Sequence, residues 1–599
     1  MDAMKSQSPP KAANASGESL DSWKAIAAYL KRDERTVRRW ERDGLPVHRH
    51  MHKSRASVYA FKPDVDVWWQ RDRLRLEAGE VVTTGRHRRL AAWIAGAAVA
   101  LPIVLLGFNA GGLQERLFSG LGTGQIGSIA VLPLKDLSPD REQDYFADGM
   151  TEALITQLGK ISALDVISHQ SILAYRGGTK PLPEIARELN VKAVVEGTVL
   201  RSGDKVRITA NLVQAVPERH LWAESYEVDR SDILAVQEQV AREVANHIRA
   251  KLTPDEQRRL STVHSVDPEA YETYLLGRAY FYKPRTAMNA VRAKEYFEKA
   301  ITKDPKYAPA YASLAELYIW TGGAGSLTIA KAGHSAAHAL ARKWAEKAIE
   351  LDDLLADGHN ALAMVKQAAW DWTGATREYR RAIELNPSHA VARISYAMHL
   401  CALQDFERAA TQARRAQQLD PASPFINSWA AAVFFYAGRE QAAFASVQKV
   451  IDLEPGYEAA SLVLGRTYVS RGRYQEAITE LERGLAYNRR NSSLLAALAH
   501  AYARSGNRQK ALQLVDQVRQ AGRPEQGDAP TFHLVWAYAG LGDNDQAFAW
   551  LERAYQERRQ RLTWLNVDPL LDPLRSDPRF ADLVRRVGLP SPTEIRQRH

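Results

Sequence analysis

The spacing of apolar and polar positions changes its period several times along this chain, and each change marks a different kind of element. Trp23, Ile26, Ala27 and Leu30 fall at helical spacing after the capping pair Asp21-Ser22. A short polar turn, Lys31–Glu34, leads to a second helix over Arg35–Asp43, with Val37 and Trp40 facing inward and Gly44 as its stop. Val47–His52 and Ser57–Phe61 are extended runs around the basic tip Lys53-Ser54-Arg55, the pattern of a β-hairpin. Lys62–Leu76 then predicts a helix that packs Val65, Trp68 and Trp69 back on the module. Leu90–Phe108 is different in kind, with nineteen residues and no charge. At 1.5 Å per residue it spans roughly 28 Å, the thickness of a bilayer core. Arg86, His87, Arg88 and Arg89 stand before it, which places the amino side in the cytoplasm. One transmembrane helix is expected.

After a Gly-rich stretch at 109–127, the period is that of a small α/β domain, 128–252. Ile129–Leu134 and Leu164–Ser168 predict buried strands, and Met150–Gly159 and Leu182–Leu189 predict helices. Three strands follow at Ala193–Arg201, Lys205–Gln214 and His220–Glu227, the first two joined by the turn Ser202-Gly203-Asp204. Ile233–Leu252 reads as an amphipathic helix leading out.

From 267 to 590 the pattern repeats. Asn386-Pro387, Asp420-Pro421 and Glu454-Pro455 recur every 34 residues, after the similar phrases RRAIEL, RRAQQL and QKVIDL. A 34-residue helix-turn-helix unit is the signature of the tetratricopeptide repeat. Small residues (Gly465, Ala477, Ala501, Ala511) are placed where helices touch, and Tyr468, Tyr474 and Leu481 fill between them. About eight units are expected from Tyr271 to Tyr555, with an insertion near Thr321–Ser335 and a terminal cap at Leu565–Leu589. Stacked repeats form a concave groove that takes a protein or peptide partner. Trp320, Trp370, Trp372 and Trp429 are candidates to line it, although core packing is the simpler role for them.

Charge adds a location. The chain of 599 residues carries a formal net charge of +10. Residues 1–89 hold 19 Lys and Arg against 12 Asp and Glu, a net of +7. That excess predicts an anionic partner for the amino-terminal module, nucleic acid or lipid headgroups. Met1–Gly17, rich in Ser, Ala, Lys and Pro, reads as a disordered arm. The second helix presents Arg35, Thr36, Arg38, Arg39 and Arg42 outward, side chains that suit phosphate contacts and base edges.

Candidate chemistry is otherwise sparse. Cys401 is the single cysteine, so an intrachain disulfide and a Cys-based zinc site are excluded. His48, His50 and His52 alternate on one strand face, but a wing strand touching DNA explains them better than a metal does. Asp144, Tyr145, Asp148 and Glu152 gather near a helix start, where carboxylates complement the dipole. Gly122, Gly124 and Gly127 form a G-x-G-x-x-G before a strand rather than after one, the wrong order for a dinucleotide site. No cofactor or metal is expected, and in the absence of a nucleophile–base pair, P-loop or H-E-x-x-H motif the chain is not expected to be an enzyme.

Three resemblances follow from these residues. SWKAIAAYLKRDERTVRRWERDGLPVHRHMHKSRASVYAF, within a module expected over 18–80, resembles the winged helix-turn-helix of the MerR/excisionase type. That resemblance implies double-stranded DNA binding, with Arg35, Thr36, Arg38 and Arg39 in the major groove and Lys53 and Arg55 on the backbone. IAVLPLKDLSPDREQDYFADGMTEALITQL, AVVEGTVLRSGDKVRITANLV and HLWAESYE resemble the amino-terminal domain of TolB and FlgO-like proteins, which implies an envelope-facing, non-catalytic association domain. In some relatives this domain is attached to adenylate cyclase catalytic domains. The third is the repeat signature itself.

The expected fold is multidomain and mainly α: a winged helix-turn-helix, one transmembrane helix, a small α/β domain and an α-solenoid of tetratricopeptide repeats. The layout is similar to membrane-anchored regulators of the ToxR and CadC kind. It predicts a single-pass protein of the bacterial inner membrane, amino terminus cytoplasmic and carboxy-terminal region periplasmic. Signals outside would act on DNA through a homodimer. The alternative is an interaction scaffold built on the repeats, with no DNA role.

Overall fold

A computed structural model of the chain describes residues 19–41, 45–52, 55–77, 126–138, 144–178, 180–261, 266–283, 286–323, 334–521 and 531–590. The expected membrane segment Leu90–Phe108, the Gly-rich stretch at 109–125 and the arm at 1–17 lie outside these residues. Among the described residues no helix is long and apolar enough to cross a membrane. The chain divides into two units, the second starting at Thr123.

In the first unit, β1 (Ser19–Leu20) precedes α1 (Trp23–Leu30) and α2 (Glu34–Trp40). Ser22 caps α1 by accepting from the Ala25 amide, and Lys31 ends it in the left-handed region at φ 52°. Asp33 caps α2. The helix ends at Trp40, three residues before the expected Asp43, because the Leu45 amide bonds the Trp40 carbonyl and turns the chain. β2 (His48–His52) and β3 (Arg55–Phe61) pair antiparallel with His52 opposite Arg55, the expected hairpin. β1, which the polar sequence around it hides, completes a sheet of order β1-β3-β2. α3 (Lys62–Glu77) closes the module. Its core is Ile26, Val37, Trp40, Val58, Val65 and Trp68, with the Trp40 ring 5.3 Å from that of Trp69.

The second unit begins with an α/β layer. β4 (Ser128–Val131), β5 (Lys135–Asp136), β6 (Asp165–Val166), β7 (Ala193–Ser202), β8 (Lys205–Gln214) and β9 (Arg219–Asp229) form a six-stranded sheet. β4 pairs parallel to β6 and β7, and β7, β8 and β9 run antiparallel. Gly203, at φ 61°, sits in the tight β7–β8 turn, where only a residue free of Cβ adopts that angle at no cost. α4 (Asp144–Gly159) starts well before the expected Met150, so the acidic run Asp144–Asp148 is its first turns and not a loop. α5 (His169–Ile172) and α8 (Pro254–Ser261) were not legible as helices, while α6 (Leu182–Leu189) matches its expected span. α7 (Ile233–His247) is shorter than expected, since Arg249 turns left-handed at φ 55°. Ile129 and Val131 of β4 face the core under α4 and α7, and Ala130 faces the core under α6.

Among the described residues sixteen helices follow as eight pairs, in line with the about eight repeats expected. The first pairs are α9 (Pro268–Tyr282) with α10 (Ala287–Lys303), and α11 (Ala308–Gly323) with α12 (His334–Leu351). α13 (Ala356–Ala368) pairs α14 (Trp372–Leu385), and α15 (Ala390–Ala402) pairs α16 (Phe406–Leu419). α17 (Pro424–Tyr436) pairs α18 (Glu440–Leu453), and α19 (Glu458–Ser470) pairs α20 (Tyr474–Tyr487). α21 (Ser492–Arg504) with α22 (Arg508–Ala521), and α23 (Thr531–Leu541) with α24 (Asn544–Gln556), complete the array. The turns inside the last six pairs each hold a left-handed residue: Trp370, Gln404, Gly438, Gly472 and Gly506 at the 34-residue period, then Gly542. A Cβ on Gly465 would lie 2.5 Å from Leu481, so the glycine sets how closely α19 and α20 approach. Two 3₁₀ turns, Gln560–Trp564 and Pro569–Leu574, and α25 (Pro578–Val587) follow the array, starting five residues before the segment expected as a cap.

The α/β layer and the first repeats share one core. Tyr271, Leu275, Tyr307 and Ala310 of the array are buried together with Met150, Leu154 and Val236. A Cβ on Gly149 would lie within 2.4 Å of Leu275, which shows how near α4 runs to α9.

Candidate functional site

The basic residues expected on α2 divide by their partners. Arg35 and Arg39 are exposed, with no acidic partner among the described residues. Arg38 is exposed too, but it pairs with Glu34 at 2.6 Å and lies over the Trp23 ring. The Thr36 hydroxyl donates to Asp33 at 2.7 Å, so it serves the helix cap, and those bonds hold the Asp33 carboxyl below its ordinary pKa. Arg42 and Lys53 lie outside the described residues. Arg55 opens β3 opposite His52, and its side chain is not described. His48 packs its ring against Tyr59 and Phe61, at 5.3 and 5.9 Å. Among the described residues no group of His, Cys, Asp and Glu could hold a metal ion.

The acidic residues on α4 have structural partners. Asp148 pairs with Arg176. Glu152 reaches into the array, where Arg278 of α9 pairs with it and the Tyr282 hydroxyl donates to it at 2.6 Å. Burial pushes the Glu152 carboxyl up, but the Arg278 guanidinium, His169 and the Tyr282 hydroxyl bond together outweigh it, and the pKa falls below the ordinary value. His169 sits 5.5 Å from the Tyr282 ring with both ring nitrogens unpartnered, and burial lowers its pKa.

The same layer also docks on the turns between repeats. The Ser168 amide donates to the Leu419 carbonyl at 2.8 Å, and the Val166 amide donates to the Ser388 hydroxyl at 3.1 Å. The Ser171 hydroxyl donates to Asp420 at 2.6 Å. Asp420 is 4% exposed, and burial raises its pKa to about 6.

The tryptophans expected to line a groove meet the chain's own residues, and the carboxy-terminal 3₁₀ turns pack on four first helices, α13, α15, α19 and α23. Trp429 meets Trp564 at 5.5 Å, Trp370 stacks on Tyr555 at 5.2 Å, and the Trp372 indole donates to the Val587 carbonyl at 3.0 Å. Trp320 meets Phe425 edge-on at 5.0 Å. All four tryptophans are packing residues. Asp568, between the two 3₁₀ turns, is buried with them: Arg466 of α19 pairs with it at 2.9 Å and the Trp536 indole of α23 donates to it at 2.8 Å. Sequence reasoning missed this site. Its signal was an arginine inside the otherwise apolar phrase VLGRTYV.

The stacked helix pairs define a helical-repeat protein. A tetratricopeptide repeat family model matches residues 434–499 and 468–528. The chain is 37% identical over 243 residues to "Putative adenylate cyclase 3" of Rhizobium meliloti (strain 1021), covering 40% of each sequence. The chain therefore spans less than half the length of that relative. Among solved structures, Pseudomonas aeruginosa pilF is 21% identical with a TM-score of 0.27, over 35% of this chain and 92% of that one. Yeast Tom70 is 15% identical with a TM-score of 0.34, over 59% of this chain and 82% of that one.

Proposed function

We propose that this chain is a non-catalytic interaction protein whose repeat array takes a protein or peptide partner. The eight stacked helix pairs carry this reading, because such an array presents long continuous surfaces with no need of a reaction site. The test is photo-crosslinking in cells, with a benzophenone amino acid at exposed positions along α10, α16 and α20. A discrete crosslinked partner that depends on position supports the reading, and the absence of any partner at every position refutes it. The cyclase name of the Rhizobium relative adds a second check. Formation of cyclic AMP from ATP by the purified chain would overturn the non-catalytic role.

A second reading rests on its own observation, the exposed Arg35 and Arg39 on α2 beside the β2–β3 hairpin. It makes residues 18–80 a winged helix-turn-helix of the MerR/excisionase type that binds double-stranded DNA. The 128–252 layer would be TolB-like and periplasmic, the chain a homodimer crossing the bacterial inner membrane once at Leu90–Phe108, and the whole a transcriptional regulator. Removing Arg35 and Arg39 together should weaken DNA binding by the full chain and lower its salt slope by about 2. An unchanged slope would sink the DNA reading. An inactive alkaline phosphatase fusion after Gly120 would sink the membrane pass.

A further inference from the structure

The phrase Leu-Gly-Arg-x-Tyr stands twice in the array, at Leu276–Tyr280 and Leu464–Tyr468. Each glycine lets the second helix of its pair come close: a Cβ would lie 2.5 Å from Phe297 at Gly277 and 2.5 Å from Leu481 at Gly465. Each arginine is then held, largely buried, beside a tyrosine hydroxyl, Tyr282 for Arg278 and Tyr436 for Arg466. Each receives a carboxylate from outside the helix pairs. Arg278 takes Glu152 from α4, and Arg466 takes Asp568 from the carboxy-terminal segment.

We propose that Arg466, with Trp536, is a carboxylate receptor in the groove, and that Gln560–Leu574 is a tethered copy of the peptide it recognises. This rests on the reading of the array as a partner-binding surface and adds the partner's chemistry: an acidic residue followed by a leucine-bearing turn. The segment has a ligand's anatomy. Asp568 is the charged anchor and its second role is to cap the turn, accepting from the Leu570 amide at 3.1 Å. Leu565, Leu570, Leu571 and Leu574 fill the apolar floor with no exposed surface. The turns pack on α13, α15, α19 and α23, all first helices of their pairs. A partner peptide of this kind therefore meets an occupied groove and competes with a segment already tethered to the array through Arg558–Arg559.

The test uses the full chain with a protease site inserted after Arg558 and a fluorescent peptide of residues 559–590. The intact chain should leave the peptide free, and the cleaved chain should exchange its own segment for it. A D568N peptide should bind at least tenfold more weakly. In a cleaved R466Q chain that tenfold preference should vanish. Equal uptake by intact and cleaved chains, no exchange after cleavage, or equal binding of the two peptides would each overturn the proposal. The peptide comparison stands even if R466Q fails to fold. Crosslinks to a partner on the outer helices are unaffected by any of these results, so the two readings fail separately.

Discussion

Asp420 gives the sharpest test of how the α/β layer is held. Its carboxyl lies at the turn after α16, 4% exposed, and receives the Ser171 hydroxyl at 2.6 Å. Burial raises its pKa from 3.8 to about 6, and the serine hydroxyls only partly offset that. A group that binds its proton more tightly when folded favours the folded state at low pH. The contact is thus unpenalised below pH 3.8, loses stability as pH rises from 3.8 to about 6, and carries the full penalty above that. At 1.36 kcal/mol per pKa unit, the penalty is about 3 kcal/mol. Asp420→Asn removes the charge and keeps an acceptor for Ser171. Hydrogen exchange at the Ser168 amide, bonded to the Leu419 carbonyl, reads the contact locally. The variant should protect that amide more than the native chain at pH 7 and equally at pH 3.5. Equal protection at both values, or faster exchange in the variant at pH 7, would refute the burial argument.

Three further outcomes follow. Glu152→Gln strands the Arg278 charge, whose side chain is 12% exposed, and should cost about 3 kcal/mol in urea unfolding, with Arg278→Met restoring part of it. Gly465→Val should lower stability by about 1–3 kcal/mol, read as a drop in Tm, because its Cβ lands within 2.5 Å of Leu481. Leu571→Ala, at a site with no exposed surface, should cost about 2–5 kcal/mol and make the carboxy-terminal segment the first place cut by protease.

What was legible in the sequence follows what carries a period. The repeats were readable because Asn386, Asp420 and Glu454 mark helix ends 34 residues apart. β8 was readable because Val206, Ile208, Ala210 and Leu212 alternate. β1 was not anticipated, since two residues are too few to show alternation, and β6 is shorter than the strand expected over Leu164–Ser168. α4 was begun too late because Asp144 and Asp148 bracket its first turn like loop residues and its packing partner, Leu275 near Gly149, is distant in sequence. The exposed arginines of α2 could be named in advance, but the use of Thr36 as a cap partner depends on where the helix starts. Arg466 and Asp568 are 102 residues apart, and no local pattern links them.

The shared core of the α/β layer and first repeats also bears on how such chains are assembled by recombination. The stretch at 253–266 looks like a natural joint, because strands end before it and repeats begin after it. A crossover there would part Met150 and Leu154 from Tyr271 and Leu275, leaving an apolar wound on both inherited pieces. The heritable block is the layer together with at least α9 to α11. A graft of the array onto a foreign head should succeed only if it carries its own α/β neighbour with it.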